Sequence, residues 1–423
     1  MNKLLLYILI LFCFARVSSQ NYILDSIQSI YPFIEYQKNQ IKFSQDSPAF
    51  KALFKKLNAI KNQEKEDLHV FHIGGSHIQA DFYSNKLRHY LQHFVPEAKG
   101  QRGFVFPYKL AKTNNPLNYR ITSEDNWVGY RCSRPDTTSW GMAGVTAKFT
   151  DSIAHINVKA NFRNYSKNTY NFNKLRVFYN TWNEGYLVKL VNDSLVSSTS
   201  INHSRNYIEF KLNKTIDETD ICIERLNFDS NSEFLLMGVE LMNDNTGVEY
   251  TSIGVNGASF AYYNRCNYFE DQLLTYQPDL FIISVGTNDT YTTDFDAEAY
   301  KNHYEGFIQL IQRANPNCAI LLTVPNDSYY KRKYANPNTQ IAAEVIYKLA
   351  DKYKMGVWDF YEIMGGLGSS QKWYKNKLMP RDRIHFTRLG YSIKADLLLK
   401  ALVEAWEEED NVITNEYLNL FKK

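Results

Sequence analysis

Hydrophobic and polar positions along this chain fall into three regimes. Between about Ser47 and Tyr90 the spacing predicts helix, strand, helix. Phe50, Leu53 and Leu57 recur at helical intervals, Leu68–Ile73 is a short apolar run closed by Gly74-Gly75, and a second helical pattern starts near Ile78. From about Lys148 to Met242 short β segments take over. His155–Val158, Leu175–Tyr179, Tyr186–Val191, Tyr207–Leu212 and Ile221–Leu226 are separated by Asn, Asp, Ser and Gly, the pattern of an antiparallel sandwich. After Glu249 strands are expected at Leu280–Val285, Ala319–Val324 and Gly356–Asp359. Helical stretches lie around Tyr304–Ala314 and Ile341–Tyr353. Alternating β and α elements imply a parallel sheet covered by helices. The predicted fold class is α/β, with one domain interrupted by an antiparallel β-sandwich insert.

The first twenty residues follow a different logic. Lys3 precedes an apolar run from Leu4 to Phe14, and Val17-Ser18-Ser19 supplies small residues ahead of Gln20. This is the pattern of a secretory signal peptide over residues 1–19, cleaved after Ser19. Cys13 does not suit lipidation, because the bulky Phe12 precedes it. The expected location is therefore periplasmic or extracellular, and no other stretch approaches the roughly 20 apolar residues of a membrane span. Export makes one or two disulfides among Cys132, Cys222, Cys266 and Cys318 possible; four buried thiols are the alternative. Their wide spacing, without Cys-x-x-Cys, indicates neither zinc nor a redox centre.

At 423 residues the chain has room for two or three domains. Its 26 Phe and 31 Tyr exclude wholesale disorder. With 48 Lys+Arg against 45 Asp+Glu it lacks the concentrated basic surface that nucleic acid would require.

Three short motifs carry candidate chemistry. Ile73-Gly74-Gly75-Ser76-His77 puts a Ser at the end of an apolar strand and the start of a helix. That is the carboxyl edge of a parallel sheet, where α/β sites lie, although Ser is also a common helix cap. Ser284-Val285-Gly286-Thr287-Asn288-Asp289 follows a strand, and an Asn288 amide projecting over the same edge can stabilise an oxyanion. The other reading is a strand-ending turn. Asp382-Arg383-Ile384-His385 precedes the amphipathic stretch around Leu389–Ala405. A carboxylate three residues before an imidazole can orient the ring and stabilise its cation. Alone, each motif has a bland structural explanation; together they supply a nucleophile, an oxyanion donor, a base and its orienting acid.

In that order and placement the set resembles the SGNH (GDSL-type) hydrolase family. Its serine block corresponds to Gly74–Ser76, its asparagine block to Gly286-Thr287-Asn288 and its last block to Asp382–His385. Ile253-Gly254-Val255-Asn256-Gly257-Ala258 fits the expected glycine block. The resemblance implies a three-layer α/β/α domain over 20–110 and 249–423, with 111–248 as the inserted sandwich. It implies Ser76, Asp382 and His385 as a catalytic triad, and Ser76, Gly257 and Asn288 as oxyanion donors, with no metal or organic cofactor. One departure is Gly75, where the family usually has Asp.

The layout further resembles peptidoglycan O-acetylesterases, which carry a sandwich like a carbohydrate-binding module after the serine block and often continue it as Ser-His, here Ser76-His77. The implied partner is an acetylated cell-envelope glycan. Other ester substrates, acyl transfer to a sugar, and a noncatalytic glycan-binding protein on a hydrolase fold remain open alternatives. His77 and Asp81, four apart on a predicted helix, are candidate pocket-lining residues. His69 and His72 should face opposite ways. Trp127, Trp140, Tyr119 and Tyr130 suit either sugar stacking or core packing, and His155, His203 and His303 suit the surface or packing.

Overall fold

The computed structural model describes residues 23–226, 232–412 and 415–422. The expected signal peptide lies outside them. Among the described residues no helix is long and apolar enough to cross a membrane.

Six strands form the central sheet, in the spatial order Ile41–Lys42, Gly356–Asp359, Ala319–Val324, Leu280–Ser284, Asp67–Gly74, Gly247–Gly254. All neighbours are parallel except the two-residue edge strand Ile41–Lys42, which runs antiparallel. That edge strand is too short for any periodic signal. Four of the other strands read as largely apolar runs because both faces of the sheet are covered; Gly247–Gly254 does not, since it carries Glu249, Thr251 and Ser252. Successive side chains divide between two cores, as the two-residue strand period requires. Phe71, Ile73, Phe281, Ile283, Ile320 and Leu322 pack with helices Phe269–Tyr276, Ala297–Ala314 and Asn338–Tyr353. Leu68, Val70, Leu280, Ile282, Ala319 and Leu321 pack with helices Pro48–Lys61, Tyr83–Leu91 and Arg388–Glu409. The result is three layers.

Between the strands Asp67–Gly74 and Gly247–Gly254 the chain builds two antiparallel sheets. The four-stranded one runs Arg120–Thr122, Ile153–Lys159, Glu218–Arg225, Tyr186–Leu190. In Tyr186–Leu190 buried and exposed residues alternate strictly, so one face is apolar. The larger sheet centres on Phe234–Met242, every residue of which is buried. This strand pairs with Phe172–Tyr179 on one side and with Val145–Phe149 and Gly103–Val105 on the other. The antiparallel region thus recruits chain from Gly103, ahead of residue 111. Apolar residues of both sheets join the buried cluster on one face of the parallel sheet.

The long terminal helix is anchored where it matters for the site. Thr387 accepts the Gly390 N–H at 3.2 Å, a cap worth about 1 kcal/mol. It thereby fixes the exit of the segment that holds Asp382 and His385.

Candidate functional site

Four strands of the parallel sheet end at one rim, and their loops build the site, the Gly257 loop following Gly247–Gly254. Asp67–Gly74 ends in Gly74-Gly75, and Ser76 opens the short helix Ser76–Gln79. Leu280–Ser284 leads to Gly286, whose φ of +127° favours glycine, and then to the turn Thr287–Thr290 that carries Asn288. The third loop follows Ala319–Val324, and its Asn326 amide donates to the Ile384 carbonyl at 3.1 Å.

Residues 309 positions apart meet here. The Ser76 hydroxyl lies 2.8 Å from His385 Nε2, and His385 Nδ1 lies 2.9 Å from Asp382 Oδ2. Asp382 Oδ1 accepts the backbone N–H groups of Ile384 at 2.9 Å and His385 at 3.1 Å. Partial burial pushes the Asp382 carboxyl up, but the His385 contact and the two N–H donors outweigh it and hold the group well below the usual carboxylate range. An ionised Asp382 accepts from Nδ1–H, so Nε2 carries the lone pair and the Ser76 hydroxyl donates to it. The imidazole side chain is 40% exposed, so the reacting groups sit at an open surface, accessible to a bulky molecule.

Asn288 lies beside Ser76. A Cβ added at Gly75 would come within 3.1 Å of the Asn288 amide nitrogen. A side chain at this position would press on the amide by a few tenths of an ångström. One Asn288 N–H donates to the Ala258 carbonyl at 2.9 Å, which fixes the amide orientation and leaves the second N–H available. The Gly257 turn, at φ +82°, is held on both sides. The Asn256 N–H donates to Gln79 Oε1 at 2.8 Å, and Ser133 Oγ donates to the Asn256 carbonyl at 2.8 Å. Gln79 belongs to the Ser76 helix, so the glycine block is tied to the serine block directly. Nothing in the sequence marks Gln79 or Ser133 for this work.

His77 and Asp81 part company. The His77 ring stacks on His385, with centroids 5.3 Å apart and planes 26° off parallel. Its Nδ1 lies 3.1 Å from the Tyr391 hydroxyl. Burial first, then the nearby Lys394 and His385 charges, hold His77 well below its ordinary pKa. Asp81 lies instead in a buried network with Arg88 (3.0 and 3.2 Å), Ser252 (2.8 Å) and Asn118 (2.5 Å). The helix expected to continue from Ile78 breaks at Asp81, whose φ is +50°, so the four-residue spacing no longer aligns the two. Asp81 therefore supports the fold beneath the site and does not line a pocket with His77.

The other candidates resolve by burial. Trp127, Trp140 and Tyr119 are each 3% exposed and belong to the core, with Trp127 packed against Phe149 at 5.2 Å. They are not stacking platforms. His69 contacts the Tyr276 carbonyl, whereas His72 bridges Tyr250 and Ser284 from the opposite face. His155, His203 and His303 are exposed. Cys132, Cys222, Cys266 and Cys318 are free, buried thiols.

Residues 237–393 match the model of the GDSL-like Lipase/Acylhydrolase family. That span contains Asn288 and His385 and excludes Ser76. A solved peptidoglycan O-acetylesterase is 19% identical, with a TM-score of 0.70 over 87% of this chain and 99% of that one. The acetyl xylan esterase AlAXEase is 24% identical, at TM-score 0.30 over 38% of this chain and 83% of that one. A lipase/acylhydrolase from Enterococcus faecalis is 17% identical, at TM-score 0.30 over 39% and 78%. No curated protein sequence matches the chain.

Proposed function

We propose that this chain, an esterase with a GDSL-like lipase/acylhydrolase domain, is exported and removes O-acetyl groups from peptidoglycan through Ser76, His385 and Asp382. The observation that carries the reading is the unbroken relay from the Ser76 hydroxyl through His385 to Asp382, with links of 2.8 and 2.9 Å. The long structural likeness to a peptidoglycan O-acetylesterase, spanning nearly all of that protein, supports the choice of substrate. The signal-peptide pattern of residues 1–19 supports export to the compartment where that polymer lies.

In this mechanism His385 Nε2 takes the Ser76 proton as Oγ attacks the acetyl carbonyl. Asp382 keeps Nδ1 protonated and stabilises the imidazolium that forms. Negative charge develops on the former carbonyl oxygen. The N–H groups of Ser76 and Gly257 and the second N–H of Asn288 serve as its donors; each such donor is worth on the order of 3 kcal/mol in the transition state. The imidazolium then protonates the departing sugar oxygen, leaving acetyl-Ser76. Water, deprotonated by His385, attacks the acetyl group, and Ser76 is regenerated with release of acetate. An acetyl group is small enough for a shallow site, in keeping with the exposed imidazole.

The test is acetate release from O-acetylated peptidoglycan, compared with acetylated xylan and p-nitrophenyl acetate. Wild-type protein should act on the peptidoglycan, and Ser76→Ala should be inactive on every substrate while remaining folded. A Ser76→Ala protein retaining more than a few per cent of turnover removes Ser76 as nucleophile. Activity on xylan with none on peptidoglycan rejects the substrate.

A further inference from the structure

The hairpin Tyr329-Tyr330-Lys331-Arg332-Lys333-Tyr334-Ala335 has no part in the mechanism above, yet it is fastened to loops on two sides of the site. Its strands, Tyr329–Tyr330 and Tyr334–Ala335, pair antiparallel. On one side it is fastened to the segment carrying Asp382 and His385. The Tyr329 N–H donates to the Arg383 carbonyl at 3.2 Å, the Arg383 guanidinium lies 4.1 Å from the Tyr329 ring centroid, and Arg383 donates to the Arg332 carbonyl at 2.5 Å. On the other side it is fastened to the Asn288 turn. The Asn336 amide donates to the Thr290 carbonyl at 2.8 Å, and the Lys331 N–H donates to the Tyr291 hydroxyl at 2.8 Å. The hairpin therefore bridges the loop of the base and the loop of the oxyanion donor.

Its tip is costly for the backbone. The Lys333 N–H closes the turn on the Tyr330 carbonyl at 3.0 Å, and the two central residues, Lys331 and Arg332, have φ of +49° and +61°. Two successive left-handed residues are the mark of a type I′ turn, for which Asn-Gly is the favoured pair. Side chains with long stems are strained there by roughly 1 kcal/mol or more apiece. Asn-Gly would close the same turn with less strain, so stability does not account for two cations at these positions. Lys331, Arg332 and Lys333 are all exposed, and among the described residues none of them is in an ion pair. The same hairpin presents aromatic faces: Tyr330 packs 5.0 Å from Tyr291 and 5.6 Å from Tyr334, which is 50% exposed.

Three exposed cations outside any ion pair among the described residues, with Lys331 Nζ 5.2 Å from the Tyr330 ring centroid and the exposed Tyr334 beside them, suit a ligand with both sugar or peptide faces and free carboxylates. Acetylated xylan and simple esters lack abundant carboxylates; the peptide stems of peptidoglycan carry them. Resting on the peptidoglycan reading, we propose that the hairpin Tyr329–Ala335, with Tyr291 against it, is a substrate subsite. It binds the carboxylate-bearing peptide stems flanking the acetylated sugar, with Lys331, Arg332 and Lys333 as the carboxylate contacts.

The test is a triple variant, Lys331→Asn, Arg332→Gly and Lys333→Ser. It removes the cations, relaxes the turn and keeps the residue-332 carbonyl that Arg383 uses, so the hairpin should still form. On p-nitrophenyl acetate its kcat/KM should stay within about twofold of wild type. On intact O-acetylated peptidoglycan its KM should rise by about fivefold or more, and the wild-type KM should climb with added salt more steeply than the variant's. On the same glycan with its peptide stems enzymatically removed, the two proteins should be alike. Equal KM values on the intact polymer overturn the subsite while leaving the O-acetylesterase reading in place. A variant defect that persists on the stripped glycan likewise overturns the subsite alone. Wild-type protein that cleaves p-nitrophenyl acetate but releases no acetate from intact peptidoglycan overturns both.

Discussion

Replacing Asp382 by Asn isolates the contribution of one proton's position. The carboxylate now does two separable jobs. Oδ1 accepts two backbone N–H groups and shapes the loop, and Oδ2 faces His385 Nδ1 at 2.9 Å. In Asp382→Asn the amide oxygen can keep the two backbone contacts, so the loop survives. The amide nitrogen then faces Nδ1 and donates to it, which drives the imidazole proton onto Nε2. With Nε2 protonated, the Ser76 hydroxyl 2.8 Å away has no acceptor, and the charge that would stabilise the imidazolium is gone as well. A wrong tautomer of this kind costs about 10⁴ in kcat, or about 5.4 kcal/mol at 1.36 kcal/mol per tenfold. The assay is initial-rate hydrolysis of p-nitrophenyl acetate at neutral pH, with thermal unfolding measured on the same preparation. The expected result is a near-native unfolding temperature with turnover close to background. An Asp382→Asn protein that is folded and keeps a tenth or more of wild-type kcat would falsify the relay. The ionised form of Asp382 is favoured by folding, so its stabilising contribution is present above the unfolded carboxyl value of about 3.9 and is lost only as pH falls through the lower folded value. An acid limb in the rate profile between pH 5 and 8 therefore reports a group other than Asp382.

Three further outcomes follow from the site. Asn288→Ala removes the exposed amide proposed as an oxyanion donor and should lower kcat by about 10²–10³ with little change in KM; an effect confined to KM would remove Asn288 from the oxyanion role. Asp289, next to it, accepts the Phe260 N–H at 3.0 Å, while its other oxygen is buried without a partner among the described residues. Burial raises its pKa to about 7, so the folded protein holds a proton that the unfolded chain releases near pH 4, and stability should fall as pH rises from about 4 to about 7. Asp289→Asn should abolish that slope and stabilise the protein at pH 8 by at most about 4 kcal/mol, read by urea unfolding at several pH values; parallel pH profiles for the two proteins would refute it.

Four strands of the parallel sheet were legible because a strand covered on both faces is a largely apolar run, and Gly247–Gly254 was not, because the buried Glu249 and Thr251 interrupt it. Ala319–Val324 and Gly356–Asp359 occupy the expected bounds, and Leu280–Val285 is shorter by one residue. Ile41–Lys42 was not legible, since two residues cannot display a period. The pairing of His77 with Asp81 failed for a local reason: helical spacing is a guide only while the helix continues, and the left-handed Asp81 ends it. Trp127 and Trp140 illustrate a different limit. A large aromatic ring is equally suited to a sugar and to a core, and only its 3% exposure separates the two.

Taken alone, the sequence determined which groups are chemically equipped to act: a Ser after a strand, an Asn after a Gly turn, and an Asp three residues before a His. Those are local facts, written in residue types and short spacings. Whether a hydroxyl at position 76 and an imidazole at position 385 share a hydrogen bond depends on strand order and loop anchoring, which are properties of the whole sheet. So do the contacts of Gln79 with the glycine block, Tyr391 with His77, and the basic hairpin with the loops on either side of it. These contacts are set by long-range packing, and no window along the chain encodes them, because each partner's position is fixed by a different strand end.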